Sequence, residues 1–200
     1  TFFCRAVLDL IKEIGFKPDI IHCNDWQTGP LLLLLEDQYR NRSFYRDIQT
    51  VFTIHNLSYQ GKFNFHIIND VLGVDRLHWE TGNIQHDGQV NFMKMGIMYA
   101  DLINTVSRTY AEEIKNPYFG EGLDYALRLR ESDLTGIING ISYDSFNPET
   151  DQKIYYNYSK NNLEGKQLNK ECLQEEMGLP VNRDIPMIAV ISRKKKKKGF

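Results

Sequence analysis

Apolar residues recur along the chain with two different periods, and together these periods predict an alternation of helices and strands. Helical spacing runs from Phe2 to Ile14 and stops at Gly15, a residue type that favours helix ends. Thr28 is placed to cap a second helix with its body over 31–40. Further helices are predicted over 90–100, from 107 onward and over 162–177. Short apolar runs predict strands over 19–23, 49–54, 101–106, 136–139 and 186–192.

This alternation predicts an α/β fold with a doubly wound parallel sheet. In such sheets ligands bind beyond the carboxyl ends of the strands. Polar residues follow the predicted strands at those ends: Asn24 with Asp25, His55 with Asn56, Ser107, Asn139, and Ser192 with Arg193. We therefore expect one polar crevice to which several strand ends contribute. The aromatic stretch over 61–88 has no clear period and is predicted to be a long irregular loop, which in a compact domain is usually functional.

Charge and composition remove several classes of function. The chain has 24 Lys and Arg against 26 Asp and Glu, a net charge of −2, so nothing attracts it generally to nucleic acid or to an anionic membrane. Its longest aliphatic run, 31–35, is far shorter than the ~20 residues of a membrane span. The 3 cysteines lack the paired spacing of a zinc site. We expect no nucleic-acid or membrane partner, no cofactor, no metal and a cytoplasmic location.

Asp25 and Trp26 place a carboxylate beside an aromatic ring. Sugars have hydroxyls at their edges and apolar faces, so this pair suits carbohydrate. The competing interpretation is structural, since Asp is a common helix cap and Trp is usually buried. His55 is followed by Asn56, Tyr59 and Gln60, which carry hydrogen-bonding groups without charge. Such a set suits a neutral polyol better than a phosphate.

Two other chemistries compete with this interpretation. His22, His55 and Asp25 suggest a metallohydrolase site, but no H-x-H, H-E-x-x-H or carboxylate cluster completes the ligand set. Buried, hydrogen-bonded histidines are the structural alternative. A basic block from Arg193 to Lys198 follows the last predicted strand. It is either a solvated charged face or a site that captures a phosphorylated ligand.

Taken together, these segments resemble the ADP-glucose-dependent glucan synthases, the family of bacterial glycogen synthases and plant starch synthases. The resemblance follows the family's order and spacing along the whole chain. It is carried by 17–29 (KPDIIHCNDWQTG), 50–61 (TVFTIHNLSYQG), 99–101 (YAD), 105–107 (TVS), 109–114 (TYAEEI), 119–124 (FGEGLD), 138–140 (ING), 147–151 (NPETD) and 192–199 (SRKKKKKG). The chain departs from the family at Asn24, where His is usual, at Arg108, where Pro is usual, and in the lysines 194–197.

The resemblance implies a GT-B glycosyltransferase, in which two Rossmann-like domains enclose the active site between them. Similar enzymes transfer glucose from ADP-glucose to the non-reducing end of an α-1,4-glucan, with retention and without a metal. ADP-glucose and α-1,4-glucan are therefore the implied partners. The family's K-x-G-G-L loop and most of its second domain have no counterpart here. An internal fragment is implied, with 1–135 the later part of the acceptor-side domain and 136–200 the start of the nucleotide-side domain.

The resemblance also implies roles for individual residues. His55 and Asp25 are the implied catalytic residues, His55 at the transferred glucose and Asp25 on the acceptor side. Arg193 and Lys198 match the residues that hold the leaving diphosphate, where fixed positive charge stabilises the transition state. We expect substrate binding from Trp26, Asn56, Tyr59, Gln60 and Asn139.

Two alternatives stay open. The chain is either part of another GT-B enzyme, such as a sucrose- or trehalose-phosphate-type transferase, or a catalytically silent glucan-binding module. A plant origin implies the plastid in place of the cytoplasm. Because so little of the nucleotide side is present, we expect the 200 residues by themselves to have no measurable transferase activity.

Overall fold

Helices and strands alternate through residues 1–191, the part of the chain that a computed structural model describes. The helices are α1 (Phe2–Glu13), α2 (Asp25–Leu34), α3 (Leu77–Glu80), α4 (Phe92–Tyr99), α5 (Arg108–Glu113), α6 (Asp124–Leu129) and α7 (Glu164–Glu176). The strands are β1 (Ile20–Asn24), β2 (Gln49–Ile54), β3 (Lys62–Phe63), β4 (Gln85–His86), β5 (Gln89–Asn91), β6 (Leu102–Thr105) and β7 (Leu134–Gly136). Contacts divide the chain into two units, Thr1–Asn139 and the residues from Gly140 onward.

The main sheet of the first unit has four parallel strands in the order β1-β2-β6-β7. β2 lies inside this sheet, and its Phe52 and Ile54 are fully buried. Parallel neighbours need a crossover connection, and helices lie in the connections between these strands. The predicted α/β fold, a parallel sheet with flanking helices, is therefore confirmed. The domain assignment to 1–135 and 136–200 stays a prediction.

The second half of α2, residues 29–34, is buried on every side because its sequence is apolar on every side. The leucines 31–34 are at most 3% exposed. α2 packs against α4, where Gly29 permits the close approach, and Gly96 lets α4 approach Phe52 of β2. A Cβ at Gly29 would clash with the carbonyl oxygen of Phe92, and one at Gly96 would clash with the ring of Phe52. This contact fixes α2 against the sheet and thereby positions the residues at its first turn.

A row of polar side chains crosses the three strands β1, β2 and β6. Nε2 of His22 lies 2.6 Å from the hydroxyl of Thr53, which donates to Oδ1 of Asn104 at 2.6 Å. Because the hydroxyl proton is used by Asn104, the hydroxyl accepts from the His22 ring. Thr53 is only 4% exposed, so the row satisfies a buried polar group. Nε2 of His22 is thus hydrogen-bonded to the neighbouring strand of the sheet.

A second, antiparallel sheet of order β3-β5-β4 lies in the stretch 61–88 and just after it. The prediction of an irregular loop is wrong there. Asp87 and Gly88 form the two-residue turn between β4 and β5, with φ of 51° and 71°. Two left-handed residues are what a type I′ hairpin turn requires, and Asp-Gly is a favoured pair for it. The hairpin gives the stretch its own backbone hydrogen bonds.

The stretch 61–88 is anchored to the rest of the first unit through His78. Its Nε2 donates to Oδ1 of Asp37 at 2.7 Å, and its Nδ1 lies 2.5 Å from the hydroxyl of Tyr99. In the neutral ring Nδ1 accepts the phenol proton. Burial raises the pKa of Tyr99 to about 12, so the phenol keeps that proton at neutral pH. The chain over 61–88 is thereby held to α4 and to the π-helical turn Leu35–Tyr39.

α2 begins three residues before the predicted cap, Thr28, because Asp25 adopts a left-handed backbone conformation with φ of 56°. This turns the chain sharply from β1 into the helix. Thr28 consequently lies in the first turn, where its hydroxyl donates to the carbonyl of Asn24 at 2.9 Å. The prediction that Thr28 is the cap is wrong. A left-handed Asp does not show in the spacing of apolar residues.

Two predicted strands also differ from the structure. The strand predicted over 136–139 is β7, which ends at Gly136 because its partner β6 ends at Thr105 and offers no further pairing. The strand predicted over 186–192 is absent from its described part, 186–191. Between 140 and 191 there is no strand with which this segment could pair, and an unpaired strand leaves its backbone groups unsatisfied.

The second unit is organised around α7, which confirms the helix predicted over 162–177. The side chain of Asn169 on α7 binds the preceding loop at both of its polar atoms. Its oxygen accepts from the amide of Tyr155 at 2.9 Å, and its nitrogen donates to the carbonyls of Tyr156 at 2.6 Å and Gly165 at 2.7 Å.

Within 1–191 none of the helices is long and apolar enough to cross a membrane.

Candidate functional site

The carboxyl ends of β1 and β2 are joined by Asp25. Its Oδ1 accepts hydrogen bonds from the backbone amides of His55, at 2.9 Å, and of Asn56, at 3.4 Å. Both donors follow β2 directly, and Asp25 follows β1. The carboxylate therefore does not cap its own helix, as the structural alternative supposed, but fixes the turn after the neighbouring strand.

The imidazole of His55 is held from the same side. Its Nε2 lies 2.9 Å from Oδ1 of Asn24. Because an amide oxygen can only accept, Nε2 carries the proton, and in the neutral ring Nδ1 is an acceptor. Asn24 thus orients the ring at the position where similar proteins usually have a histidine. His55 is exposed, so its free edge is accessible to a ligand.

The loop after His55 is ordered by its own side chains. Oδ1 of Asn56 accepts from the amide of Ser58 at 3.1 Å, which is the hydrogen bond of an Asx turn. Leu57 is fully buried and anchors the loop to the core. Tyr59 is half-exposed, and its ring projects from an ordered backbone. The loop therefore presents its polar groups from a fixed frame.

Gln60 is only 6% exposed, and both ends of its amide are bonded. Nε2 donates to the carbonyl of Glu121 at 2.9 Å, and Oε1 accepts from Nδ2 of Asn91 at 2.8 Å. Asn91 in turn caps α4 by accepting from the amide of Lys94 at 2.9 Å. These bonds make Gln60 a link between three segments, and its direct contact with a substrate stays a prediction.

Trp26 is half-buried and packs against Phe63 of β3 and Phe92 of α4. Its ring lies 6.3 Å from that of Phe63 and 6.4 Å from that of Phe92, measured between centroids. Gly61 packs against the indole so closely that a Cβ there would clash with it. Trp26 lines a cavity of about 290 Å³, whose other lining residues are Ser58, Tyr59, Gln60, Gly61 and Lys62. Aromatic, hydroxyl, amide and amine groups thus meet in one place.

Two other predicted residues, Asn139 and Ser107, follow later strands of the main sheet. Asn139 is exposed and follows β7 by three residues. The hydroxyl of Ser107 accepts from the amide of Tyr110 at 3.3 Å, so it caps α5 as predicted. Arg193 and Lys198 lie outside the described residues. Within 1–191 no group of three His, Cys, Asp or Glu side chains is arranged to hold a metal ion.

The sequence analysis did not identify three residues that line or support the cavity beside Trp26, namely Ser58, Lys62 and Glu121. Ser58 and Lys62 lie inside the motif 50–61 or next to it, but nothing in their type marks them as cavity residues. Glu121 lies between two glycines, and that turn was the available signal. Its hydrogen bonds to Gln60 and Ser58 join positions 61 and 63 residues apart, a separation that local sequence patterns do not reveal.

A family model described as the starch synthase catalytic domain matches residues 1–129 of the chain. The chain belongs to this family. The resemblance drawn from the motifs is therefore confirmed. In the first unit, Asn24, Asp25 and His55 form a cluster at the strand ends where ligands bind in parallel α/β sheets.

Curated relatives match this chain along its whole length. The chain is 50% identical over 200 residues to the glycogen synthase of Clostridium kluyveri, covering 100% of this chain and 42% of that protein. It is 51% identical over 199 residues to the glycogen synthase of Clostridium perfringens, covering 100% and 41%. The chain thus spans about 42% of the length of the first of these relatives.

A solved structure of the same family is similar in fold. It is the catalytic domain of starch synthase IV from Arabidopsis thaliana, bound to ADP and acarbose, and it matches with a TM-score of 0.75 at 35% identity. The match covers 88% of this chain and 36% of that one. This agrees with the parallel α/β sheet of the first unit.

Proposed function

We propose that the chain is an internal fragment of a longer retaining glycosyltransferase (the parent protein), with 1–135 the later part of its acceptor-side domain and 136–200 the start of its nucleotide-side domain. The parent protein transfers glucose from ADP-glucose to the non-reducing end of an α-1,4-glucan. The observation that carries this proposal is the hydrogen-bonded cluster of Asn24, Asp25 and His55 at neighbouring strand ends. It occurs in a chain 50% identical to the glycogen synthase of C. kluyveri. The similar starch synthase IV structure is bound to ADP and acarbose.

His55 is assigned to the transferred glucose. A sugar hydroxyl both donates and accepts, and the neutral ring of His55 offers Nδ1 as an acceptor while Asn24 holds Nε2. Asp25 fixes the backbone of His55, so the ring is positioned before substrate arrives. Such a preorganised polar group stabilises a transition state more than a freely rotating side chain does.

The cavity beside Trp26 is assigned to the glucan acceptor. Its indole and the ring of Tyr59 offer apolar faces, while Ser58 and Lys62 offer polar groups at the rim. A pyranose ring has the matching combination of apolar faces and equatorial hydroxyls. Asn56 lies in sequence between His55 and the cavity residues that begin at Ser58, and we assign its side-chain amide to substrate as well. Asn139 is assigned to the same face of the active site by resemblance.

The reaction exchanges one bond for another at C1 of glucose. The bond from C1 to the diphosphate oxygen breaks, and O4 of the glucan forms a bond to C1 on the same face. The hydroxyl proton leaves with ADP. Arg193 and Lys198 are assigned to the departing diphosphate by resemblance, since its growing negative charge requires fixed cations. This step needs no metal.

We also place the parent protein in the cytoplasm. All three cysteines are free thiols, Cys4 and Cys23 buried and Cys172 partly exposed. Burial raises the pKa of Cys23 to about 12, so this thiol stays protonated and inert. A set of free cysteines suits a reducing compartment.

The proposal is tested by incubating the parent protein with labelled ADP-glucose and glycogen. We expect label in the polymer, and less than about one hundredth of that rate from the 200-residue chain alone, a difference of about 2.7 kcal/mol in the barrier. UDP-glucose and sugar-phosphate acceptors serve as the comparison panel. Glycogen binding without turnover would identify a silent binding module, and preferred use of another donor or acceptor would identify a different GT-B transferase.

A further inference from the structure

A loop distant in sequence supports one wall of the cavity beside Trp26. The hydroxyl of Ser58 donates to Oε1 of Glu121 at 2.9 Å, and Nε2 of Gln60 donates to the backbone carbonyl of Glu121 at 2.9 Å. One residue therefore accepts from two members of the cavity wall, once through its side chain and once through its backbone. This pattern fixes both the position and the orientation of residues 58–60.

The backbone of Glu121 is itself held in an unusual conformation. Its φ is 50°, in the left-handed region that side-chain-bearing residues seldom adopt, and Gly122 follows with φ of 80°. The turn is closed by the amide of Leu123, which donates to the carbonyl of Gly120 at 2.7 Å, and Leu123 is 1% exposed. Left-handed residues outside glycine persist where the surroundings determine them, and they concentrate at functional sites.

The network continues from Gln60 into the framework of the first unit. Asn91 binds Oε1 of Gln60 and caps α4. The backbone carbonyls of Gln60 and Gly61 accept from the amides of Met93, at 2.9 Å, and Phe92, at 3.0 Å. The segment after Ser58 is thus tied to the start of α4, whereas Ser58 itself is tied by its side chain to Glu121. Removing the carboxylate loosens one end of the wall and leaves the other in place.

We propose that Glu121 is a positioning residue that sets the shape of the acceptor cavity by holding Ser58 and Gln60. The part of this inference that concerns the glucan rests on the function proposed above. The carboxylate orients the loop that follows His55 and lines the cavity beside Trp26. Its loss therefore alters how the acceptor hydroxyl is presented to C1 of the donor. The donor itself is bound by other residues.

Glu121→Gly separates the side chain from the backbone, since glycine accepts a φ of 50° and keeps the carbonyl that binds Gln60. Glu121→Gln keeps an oxygen that can accept from Ser58 and is the conservative variant. Glu149→Gly is the matched control, because it also replaces a glutamate by glycine in a turn, at an exposed position of the second unit. Ser58→Ala removes the same hydrogen bond from its other end.

Amide hydrogen exchange of the peptide spanning 56–62 measures the positioning directly. We expect exchange of this peptide to accelerate about tenfold in Glu121→Gly and Ser58→Ala, the scale of losing one hydrogen bond to a charged group. Exchange of this peptide in Glu121→Gln and Glu149→Gly should stay close to that of the unchanged chain. Equal exchange in all four variants would overturn the proposal. Should Glu121→Gly fail to fold, Ser58→Ala decides the question alone.

Kinetics of the parent protein test the consequence for the acceptor. We expect Glu121→Gly to raise the glucan KM about tenfold, equivalent to about 1.4 kcal/mol, with the ADP-glucose KM unchanged. Glu121→Gln should restore most of the loss, which a purely structural defect would not allow. A changed donor KM with an unchanged glucan KM would overturn the proposal. If the unchanged parent protein transfers no glucose, the proposed function fails, while the exchange data still decide whether Glu121 positions the loop.

Discussion

The carboxylate of Asp25 lies 2.9 Å from the backbone amide of His55, so a residue at the end of β1 determines where the residue after β2 is placed. Sequence neighbours do not provide this constraint, because the two residues are separated by 30 positions. The link explains why an Asp at this position adopts a left-handed conformation. The turn brings the carboxylate over the neighbouring strand end.

We predict that Asp25→Ala destabilises the chain more than Asp25→Asn. Alanine removes the acceptor for the amide of His55 and resists a φ of 56°, so we expect a loss of about 1–3 kcal/mol in the free energy of unfolding. Asparagine keeps an acceptor and tolerates the left-handed conformation, so its loss should stay below about 1 kcal/mol. Urea unfolding followed by circular dichroism measures both. Equal losses of stability in the two variants would show that neither the acceptor at Asp25 nor its left-handed backbone conformation matters.

Trp26→Ala in the parent protein should weaken the use of glucan by about 1–3 kcal/mol, the scale of losing a large aromatic contact at a binding surface. The KM for ADP-glucose should change little, because Trp26 borders the cavity assigned to the acceptor. Trp26→Phe is the matched variant, since it keeps an aromatic face, and it should lose less. The assignment is wrong if the donor KM rises and the glucan KM does not.

His55→Ala should lower kcat of the parent protein by orders of magnitude, because it removes a preorganised polar group from the transferred sugar. A chelator should leave the activity of the unchanged protein intact. His22→Ala is the control for general histidine loss, because His22 is bonded within the sheet to Thr53. Activity that disappears with a chelator and returns with zinc would contradict the metal-free mechanism.

Gly29→Ala should destabilise the first unit by about 1–3 kcal/mol, the usual cost of forcing extra volume into a packed interior. The new Cβ would meet the carbonyl oxygen of Phe92, a backbone atom that cannot rotate away. Gly140→Ala is the matched control, since no atom lies within 4 Å of the Cβ position there. Chemical unfolding of both variants gives the comparison. A neutral Gly29→Ala would mean that α2 and α4 are able to move apart.

Stability at alkaline pH should depend on Tyr99. Its folded pKa is raised to about 12 by burial, above the value near 10 of an unfolded tyrosine. The stabilisation is therefore complete below about pH 10 and is lost as the pH rises towards 12. We expect the stability difference between the unchanged chain and Tyr99→Phe to narrow over this range. Tyr118→Phe, at a residue 87% exposed, is the control, and a constant difference for Tyr99→Phe would refute the assignment.

Regular periodicity made much of the fold predictable. β2 was predicted with its observed bounds, Gln49–Ile54, and the cap at Ser107 follows from a polar residue placed between a strand and a helical pattern. The two strand errors share a cause, which is geometry set by partners distant in sequence. β7 ends where β6 ends, and the segment 186–191 has no described strand beside it. α6 is too short, at 6 residues, to show a helical period.

The candidate site was predictable to the extent that its residues lie in the two motifs 17–29 and 50–61. Asp25, Trp26 and His55 were identified from residue type at strand ends, and the structure brings Asp25 and His55 into direct contact. Gln60 was expected to face a substrate, but its burial and its bond to Asn91 became visible only in three dimensions. One missed feature did have a local signal, since Asp-Gly at 87–88 is typical of the hairpin that forms there.

The polar row of His22, Thr53 and Asn104 has a consequence for how the sheet assembles. Successive side chains of a strand point to opposite faces, so a slip of β2 by one position would turn Thr53 away from both neighbours at once. His22 and Asn104 come from positions 31 and 51 residues away, respectively. The row therefore acts as an alignment mark between strands that are synthesised at different times. Only the native alignment completes it, and a shifted sheet would bury a hydroxyl with no partner.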